Sequence, residues 1–275
     1  MSIFTEPKID CHCHILDPVG FPYAANTPYR PAGQEIGTAV QIAQVFATYG
    51  VQNAVLVQPN SGYGEDLSAM LAAIAASQGR YKGIAVVPPT ISVDELARLK
   101  PLGIVGVAFN ATFHSVAYYQ RTEPLIAKLT ELDMFLQLQF EHDQLLGLLP
   151  LIEHSKVCLL IDHCGRPTVS AGVNAPAFRA LLALGRTGRA SIKLSGYSKF
   201  SGQSHPFGVT APFVRALVDA FSLDHCMWAS DWPFLRAPER LDYGPLLTLV
   251  AELFPDPEER QKLYWDTPRR LFKFC

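Results

Sequence analysis

The feature that most constrains the fold is an alternation of short apolar segments with longer amphipathic segments along the whole chain. Eight segments rich in β-branched and aliphatic residues are predicted as strands, and a helical pattern follows each of them. Dividing the chain by eight gives units of about 34 residues, which is the size of a βα unit. The predicted strands are Lys8–His14, Gln52–Gln58, Lys82–Val87, Ile104–Asn110, Met134–Phe140, Val157–His163, Ala190–Ser195 and Cys226–Asp231.

Eight such units predict the α/β class and a single (β/α)8 TIM barrel domain over residues 1–275. The segment from Pro257 to Phe272 predicts extra C-terminal helices. An open doubly wound sheet is the alternative. No Gly-rich phosphate-binding turn follows the first strand, which favours the barrel.

Composition and charge exclude several classes of protein. Hydrophobic residues make up 49% and charged residues 17%, so the chain can bury a large core and is not disordered. The net charge is −2 with no basic block, so neither a nucleic-acid nor a membrane partner is predicted. No apolar run approaches the ~20 residues of a membrane span, and no secretory signal is recognisable. The six cysteines, most of them in predicted strands, indicate reduced thiols and a cytoplasmic location.

Polar side chains stand at the carboxyl end of seven of the eight predicted strands, where barrel enzymes carry their catalytic groups. His12 and His14 share one side of the first strand because side chains alternate, so Cys11 and Cys13 face the helices. Burying one unpaired polar group costs about 1–3 kcal/mol. Polar groups at seven strand ends without a function would therefore be costly, which favours an active site at this end of the barrel. The alternative is that these residues have structural roles only. In that case Gln137 and Gln139 form hydrogen bonds to the backbone of nearby loops, and the charged end of Lys193 extends into water. The residues at these ends are His12, His14, Gln58, Asn110, Gln137, Gln139, His163, Lys193, Ser195 and Asp231.

The residue types at these ends suit two kinds of chemistry. His12, His14, His163 and Asp231 supply the nitrogen and oxygen donors that Zn²⁺ or Mn²⁺ prefers. Without a metal, Asp231 can remove a proton from water while neutral histidines polarise a carbonyl. The spacing alone leaves both open.

Several stretches together carry a family resemblance. The chain resembles the amidohydrolase superfamily, within it the branch of 2-pyrone-4,6-dicarboxylate lactonases and related sugar-acid lactonases. The matching stretches are Ile9–His14, Phe21–Tyr23, Val57–Pro59, Asp162–Pro167, Ile192–Gly196, Trp228–Pro233 and Asp266–Phe272.

This resemblance implies a hydrolase that opens a lactone of a small organic or sugar acid. Asp231 would activate water, and His12, His14 and His163 would orient or polarise the carbonyl. No cofactor would be required; a single Zn²⁺ or Mn²⁺ ion, if bound, would be held by His12, His14 and Asp231. The partner is a small-molecule lactone, and a homo-oligomer is compatible with the sequence. The predicted substrate-binding residues are Arg166, Asn110, Gln139, Gln58, Lys193, Tyr29 and Ser61.

One departure from the family pattern bears on the substrate. Ala108 stands where the pyrone dicarboxylate lactonases are expected to carry an arginine on the fourth strand. A guanidinium is the usual partner of a carboxylate, and alanine cannot replace it. Arg166 remains, with Lys193, Lys199 and Arg30 as further cations, so a monocarboxylate or uncharged lactone is predicted over the dicarboxylate.

Two other functions compete with the lactonase interpretation. A Zn-dependent decarboxylase of an aromatic or muconate-type acid would use similar ligands on the same barrel, and an essential metal ion would favour it. A non-catalytic barrel that binds a sugar acid or a protein is the third interpretation. Against it, Asp231 lies between Trp228 and Trp232, in apolar surroundings that suit a general base.

Overall fold

The structure is a computed structural model that describes residues 2–275. Eight strands form one sheet in which spatial order follows sequence order. Neighbouring strands, such as β1 with β2 and β4 with β5, pair in parallel. This topology confirms the predicted (β/α)8 barrel. The strands are β1 (Lys8–Cys13), β2 (Val51–Val57), β3 (Tyr81–Ala85), β4 (Ile104–Asn110), β5 (Phe135–Gln139), β6 (Leu159–Ile161), β7 (Ala190–Leu194) and β8 (Cys226–Trp228).

Helices follow the strands as the amphipathic pattern predicts. A π-helical turn, Lys262–Asp266, joins the last two helices, which confirms the extra C-terminal helices. The helices are α1 (Ala39–Tyr49), α2 (Ser68–Ala76), α3 (Val93–Leu99), α4 (Ala111–His114), α5 (Glu123–Glu131), α6 (Gln144–Ile152), α7 (Pro176–Arg186), α8 (Ala211–Phe221), α9 (Tyr243–Leu253), α10 (Pro257–Gln261) and α11 (Thr267–Phe272).

The strands are covered on both faces, as parallel sheets require. Every residue of β1 and of β7 is buried, including Lys8, Asp10 and Lys193. The helices bury one stripe each: α7 turns Phe178, Leu181 and Leu184 inward. Charged groups inside such strands must find partners there, because water does not reach them.

Seven of the eight strands end one to three residues earlier than predicted, and the differences at β6 and β8 move two candidate catalytic residues into loops. β6 ends at Ile161 and β8 at Trp228, so His163 and Asp231 lie in the loops that follow. His163 and Asp231 have φ values of 51° and 62°, in the left-handed region that a strand does not admit, so neither residue continues its strand.

The chain divides into two compact units. Unit 1 contains the residues up to Val86, Arg98–Val105 and Trp228–Cys275, and unit 2 contains Val87–Ala97 and Gly106–Met227. The assignment of residues 1–275 to one domain stays a prediction. All six cysteines are free thiols; four are buried, whereas Cys158 and Cys275 are exposed, so the expectation of buried thiols holds for four of the six. Among residues 2–275, no helix combines the length and the apolar character that crossing a membrane needs.

Candidate active site

Unit 1 brings His12, His14 and Asp231 together in a buried cluster. The Nε2 atoms of His12 and His14 lie 3.8 Å and 3.5 Å from Asp231 Oδ1. The two imidazoles meet edge to face, with ring centroids 4.9 Å apart. Neither neighbouring thiol belongs to the cluster, because Cys11 and Cys13 donate to the backbone carbonyls of Ile9 and Val55. One carboxylate oxygen therefore lies close to two imidazole nitrogens.

Backbone hydrogen bonds between the end of β1 and the loop after β8 place Asp231. Its amide donates to the carbonyl of His12 over 2.8 Å, and the amide of His14 donates to the carbonyl of Trp232 over 2.8 Å. With φ at 62°, Asp231 occupies a conformation that costs a non-glycine residue energy. Strain held by surrounding hydrogen bonds is typical of functional positions.

Asp10 is a buried carboxylate that connects the same two segments. Its Oδ1 accepts from the amides of His12 (3.2 Å) and Ser230 (3.0 Å), and its Oδ2 accepts from the Tyr243 hydroxyl (2.9 Å). Burial raises the pKa of Asp10, and these hydrogen bonds oppose that effect. Asp10 thereby fixes the backbone next to His12 and next to Asp231. Sequence reasoning gave it no role, although an acidic residue in an otherwise apolar strand, in phase with His12, was the available signal.

The tautomer of neutral His14 follows from its second nitrogen. Nδ1 lies 2.7 Å from the backbone carbonyl of Val57, which only accepts, so Nδ1 carries a hydrogen. A neutral His14 then presents the lone pair of Nε2 toward Asp231 Oδ1, 3.5 Å away. Two acceptors facing each other favour a proton, a water molecule or a cation between them.

The same three residues meet the distance requirement of a metal site. One donor atom from each of His12, His14 and Asp231 lies within 4.8 Å of the others. Zn²⁺ bonds of about 2.0–2.2 Å in tetrahedral geometry separate neighbouring ligand atoms by roughly 3.4 Å. The observed separations of 3.5 and 3.8 Å are close to that value. The donor set of two imidazoles and a carboxylate fits a single Zn²⁺ or Mn²⁺ ion.

In unit 2, a buried network links β5, β7 and the residue after β6. Lys193 Nζ lies 2.9 Å from Asp162 Oδ1 and donates to Gln137 Oε1 over 2.5 Å. Gln137 Nε2 in turn donates to Asp162 Oδ2 over 2.8 Å. Lys193 is fully buried, so the alternative in which it extends into water is wrong. The Lys193 ammonium is paired with the Asp162 carboxylate within the protein. A role of Lys193 in substrate binding stays a prediction.

His163 follows this network directly and is held by Ser195. Its Nδ1 lies 3.0 Å from Ser195 Oγ, and the ring is buried. His163 and Cys164 have φ values of 51° and 57°, so the chain leaves β6 through consecutive left-handed residues. Gly196 lies against this ring: a Cβ there would be 2.6 Å from His163 Cβ.

Three of the predicted substrate-binding amides have partners within the protein. In unit 1, Gln58 Nε2 donates to the carbonyls of Gly64 (2.9 Å) and Asp66 (2.8 Å). In unit 2, Asn110 Oδ1 caps α4 by accepting from the amide of Phe113, and Gln139 Nε2 donates to Thr112 Oγ1. These contacts shape the loops after β2 and β4; contact with substrate stays a prediction for all three.

The remaining predicted binding residues lie in βα loops. In unit 2, Arg166 follows β6 with a φ of 39°, and its Nη1 lies 3.9 Å from Glu141 Oε2, a long ion pair. In unit 1, the hydroxyl of Tyr29 donates to Glu35 Oε2 over 2.5 Å. The carbonyl of Ser61 accepts from the amide of Tyr63 over 3.0 Å in the loop after β2. The structure leaves the binding role of each untested.

Comparison with known proteins identifies relatives over the whole length. Residues 9–274 match the amidohydrolase family. A 4-sulfomuconolactone hydrolase from Rhizobium radiobacter is 34% identical, with 98% of this chain and 91% of the relative covered. A 2-pyrone-4,6-dicarboxylate hydrolase from Comamonas testosteroni is 28% identical, with 96% of this chain and 89% of the relative covered.

Solved structures give the same result for the fold. A probable 2-pyrone-4,6-dicarboxylic acid hydrolase from Acinetobacter baumannii, with citric acid bound, superposes with a TM-score of 0.88 at 26% identity. That comparison covers 97% of this chain and 99% of the other. A 2,6-dihydroxybenzoate decarboxylase from Rhizobium has a TM-score of 0.69 at 14% identity, with 97% of this chain and 98% of the other covered. The second likeness concerns the fold alone.

Proposed function

Because the chain belongs to the amidohydrolase family, we propose that it is a hydrolase that opens the ring of a lactone of a small organic or sugar acid. The observation that carries the proposal is the buried Asp231 carboxylate with two imidazole nitrogens at 3.5 and 3.8 Å. Two relatives that span nearly the whole chain are hydrolases named for a lactone and for a pyrone, which is itself a cyclic ester. Both observations support hydrolysis of a cyclic ester.

In the proposed reaction Asp231 accepts a proton from water while the water oxygen attacks the lactone carbonyl. The carbonyl oxygen becomes an oxyanion, which an imidazole N–H of His12 or His163 stabilises when it donates to it. His14 can donate to the oxyanion only when Nε2 carries a proton, because its Nδ1–H is bonded to the carbonyl of Val57. As the oxyanion collapses, the ring C–O bond breaks and Asp231 returns the proton to the leaving oxygen. The product is the open hydroxy acid, or the keto acid where the leaving oxygen is enolic. General-base catalysis of this type contributes about 10²–10⁴-fold.

The residues proposed for general-base catalysis could also bind a metal ion. His12, His14 and Asp231 would hold a single Zn²⁺ or Mn²⁺ ion, and their donor atoms lie close enough together for one. Such an ion, when bound, polarises a carbonyl and lowers the pKa of bound water. The family resemblance favours the metal-independent form, in which His14 and Asp231 share a proton or a water molecule.

We assign substrate contacts to Arg166, Asn110, Gln139, Gln58, Lys193, Tyr29 and Ser61. Most of them lie at strand ends or in βα loops, the segments that carry specificity in this fold. Ala108 lies on β4, where the family resemblance leads us to expect an arginine for a second carboxylate. A lost charged hydrogen bond of about 1.5–3 kcal/mol lowers kcat/KM roughly 10- to 150-fold. We therefore expect a lactone with at most one carboxylate to be preferred over 2-pyrone-4,6-dicarboxylate.

The test is a ring-opening assay on aldonolactones, muconolactones and pyrone carboxylates, with and without chelator. Asp231→Asn keeps the shape of the side chain but cannot take the proton, so kcat on the best substrate should fall by about 10²–10⁴. Asp242→Asn is the matched control, because Asp242 is an exposed carboxylate paired with Arg240. Near wild-type turnover in Asp231→Asn would refute the general-base role. Release of CO₂ without ring opening would instead support the decarboxylase.

A further inference from the structure

Within unit 1, the loops after β1, β2 and β8 meet around Tyr29. The carbonyl of Tyr29 accepts from the amide of Gly62 in the loop after β2. The Tyr29 hydroxyl donates to Glu35, and the other oxygen of Glu35 accepts from the amide of Arg236 over 2.6 Å. Strand β1 and the loops after β2 and β8 also carry His12, Gln58 and Asp231, so Tyr29 belongs to the same loop cluster as these residues.

Arg236 is exposed and lies against this cluster. Its guanidinium carbon is 4.3 Å from the centroid of the Tyr29 ring, within the range of a cation–π contact. Two successive turns lead to it from Asp231, since Phe234 donates to the carbonyl of Asp231 and Ala237 to that of Phe234. The backbone φ of Arg236 is 52°, so the side chain leaves the chain from a left-handed position.

The polar edge of this guanidinium faces no partner of the protein. Within residues 2–275 the guanidinium has no hydrogen bond or ion pair and contacts the ring of Tyr29, while the backbone amide of Arg236 donates to Glu35. Glu35 accepts from the Tyr29 hydroxyl and the Ala32 amide with Oε2, and from the Arg236 amide with Oε1. Arg240, four residues on, differs: its Nε and Nη2 are paired with Asp242. A guanidinium that is oriented by stacking and keeps its donors available suits bidentate recognition of an acid group.

We propose that Arg236, stacked on Tyr29, binds the acid group of the substrate, so that the lactone is taken as an anion bearing a carboxylate or sulfonate. This inference rests on the proposed function and adds a specificity residue that sequence reasoning did not identify. With Ala108 in place of the expected arginine, we expect the substrate to carry at most one acid group. Arg236 would supply the cation that binds this group.

Binding and turnover are measured with muconolactone and its uncharged carboxamide. Titration calorimetry on the non-hydrolysing Asp231→Asn protein, with and without Arg236→Gln, reports acid binding independently of catalysis. Arg236→Gln should weaken muconolactone binding about tenfold, the loss of about 1.4 kcal/mol, and leave carboxamide binding unchanged. Arg236→Lys, which keeps the charge without the planar fork, should recover part of the affinity. In the active enzyme, KM for the acid should rise while kcat stays close to wild type.

Arg240→Gln is the matched control and should leave the affinity for both compounds unchanged, because that guanidinium is exposed and already paired. The inference is overturned if Arg236→Gln binds the acid as well as its parent, or if Asp231→Asn with Arg236 intact binds no muconolactone. A lower melting temperature with unchanged affinity would show that Arg236 only joins two loops. Unchanged binding would leave lactone hydrolysis standing, whereas a wild-type protein that opens no lactone would defeat the proposed function.

Discussion

Replacing Asp10 with alanine is expected to destabilise the protein strongly, because one buried carboxylate connects three groups. The variant removes the acceptor of the His12 amide, the Ser230 amide and the Tyr243 hydroxyl. Asp10 is fully buried, so no water replaces the lost oxygens. The two amides flank His12 and Asp231, so the backbone of the candidate active site loses its support along with the fold.

The magnitude follows from those three hydrogen bonds. Each buried donor left without an acceptor costs about 1–3 kcal/mol, and three cost about 3–9 kcal/mol. Removing the carboxylate offsets part of this, since burial raises the pKa of Asp10 and the folded protein holds its charge at some expense. A net loss of about 3–6 kcal/mol is a large part of the 5–15 kcal/mol that stabilises a typical domain. At about 2–4 °C per kcal/mol, the melting temperature should fall by about 6–24 °C.

The assay is thermal unfolding followed by circular dichroism, with two companion variants. Asp10→Asn keeps an oxygen for both amides and places an NH₂ against the Tyr243 hydroxyl, which can rotate to accept, so its melting temperature should stay within a few degrees of wild type. Tyr243→Phe removes a single hydrogen bond, and we expect an intermediate loss. An Asp10→Ala protein that melts within 3 °C of wild type, about 1 kcal/mol, would refute the reasoning.

Three further variants test other parts of the structure. Arg166→Met should raise KM severalfold with little change in melting temperature; a large fall in melting temperature at unchanged KM would show that the ion pair with Glu141 is its main role. Gly196→Ala should reduce kcat at least tenfold, because the added methyl would lie 2.6 Å from His163 Cβ, and wild-type kcat would contradict this placement. Burial lowers the pKa of Lys8 from 10.5 to about 8, so between these pH values the unfolded chain binds more protons and stability rises with pH. The melting temperature of wild type minus that of Lys8→Met should therefore increase from pH 8 to pH 10. A difference that stays constant over this range would contradict the shifted pKa.

The sequence was sufficient for those features that follow from periodicity. Alternation of side chains along a strand put His12 and His14 on one side of β1, and the eight-fold repetition of strand and helix specified the barrel. The exact ends of β6 and β8 were not predictable, since nothing in the sequence indicates that His163 and Asp231 adopt left-handed backbone conformations. Non-glycine residues do so rarely, and the hydrogen bonds that hold them come from segments distant in sequence.

Contacts between loops were beyond the sequence for a related reason. The stacking of Arg236 on Tyr29 joins residues separated by about two hundred positions, and it depends on how the loops after β1 and β8 pack. Gln58, predicted from its place at a strand end, proved to hold the loop that follows β2. A polar residue at a strand end thus indicates the right region of the fold without distinguishing a group that binds substrate from one that supports a loop.

The buried charges of β1 and β7 are better explained by positioning than by stability. A buried ion pair such as Lys193–Asp162 loses much of its attraction to desolvation, and apolar residues of equal volume often stabilise a core as well or better. Hydrogen bonds to buried charges also fix the orientation of the backbone and side chains that make them. Asp10 fixes the backbone beside His12 and Asp231 in unit 1, and the Lys193–Asp162–Gln137 network fixes the residue before His163 in unit 2. Because catalysis depends on placement to fractions of an ångström, buried charges that fix the backbone beside His12, Asp231 and His163 are consistent with the catalytic roles we propose for these residues.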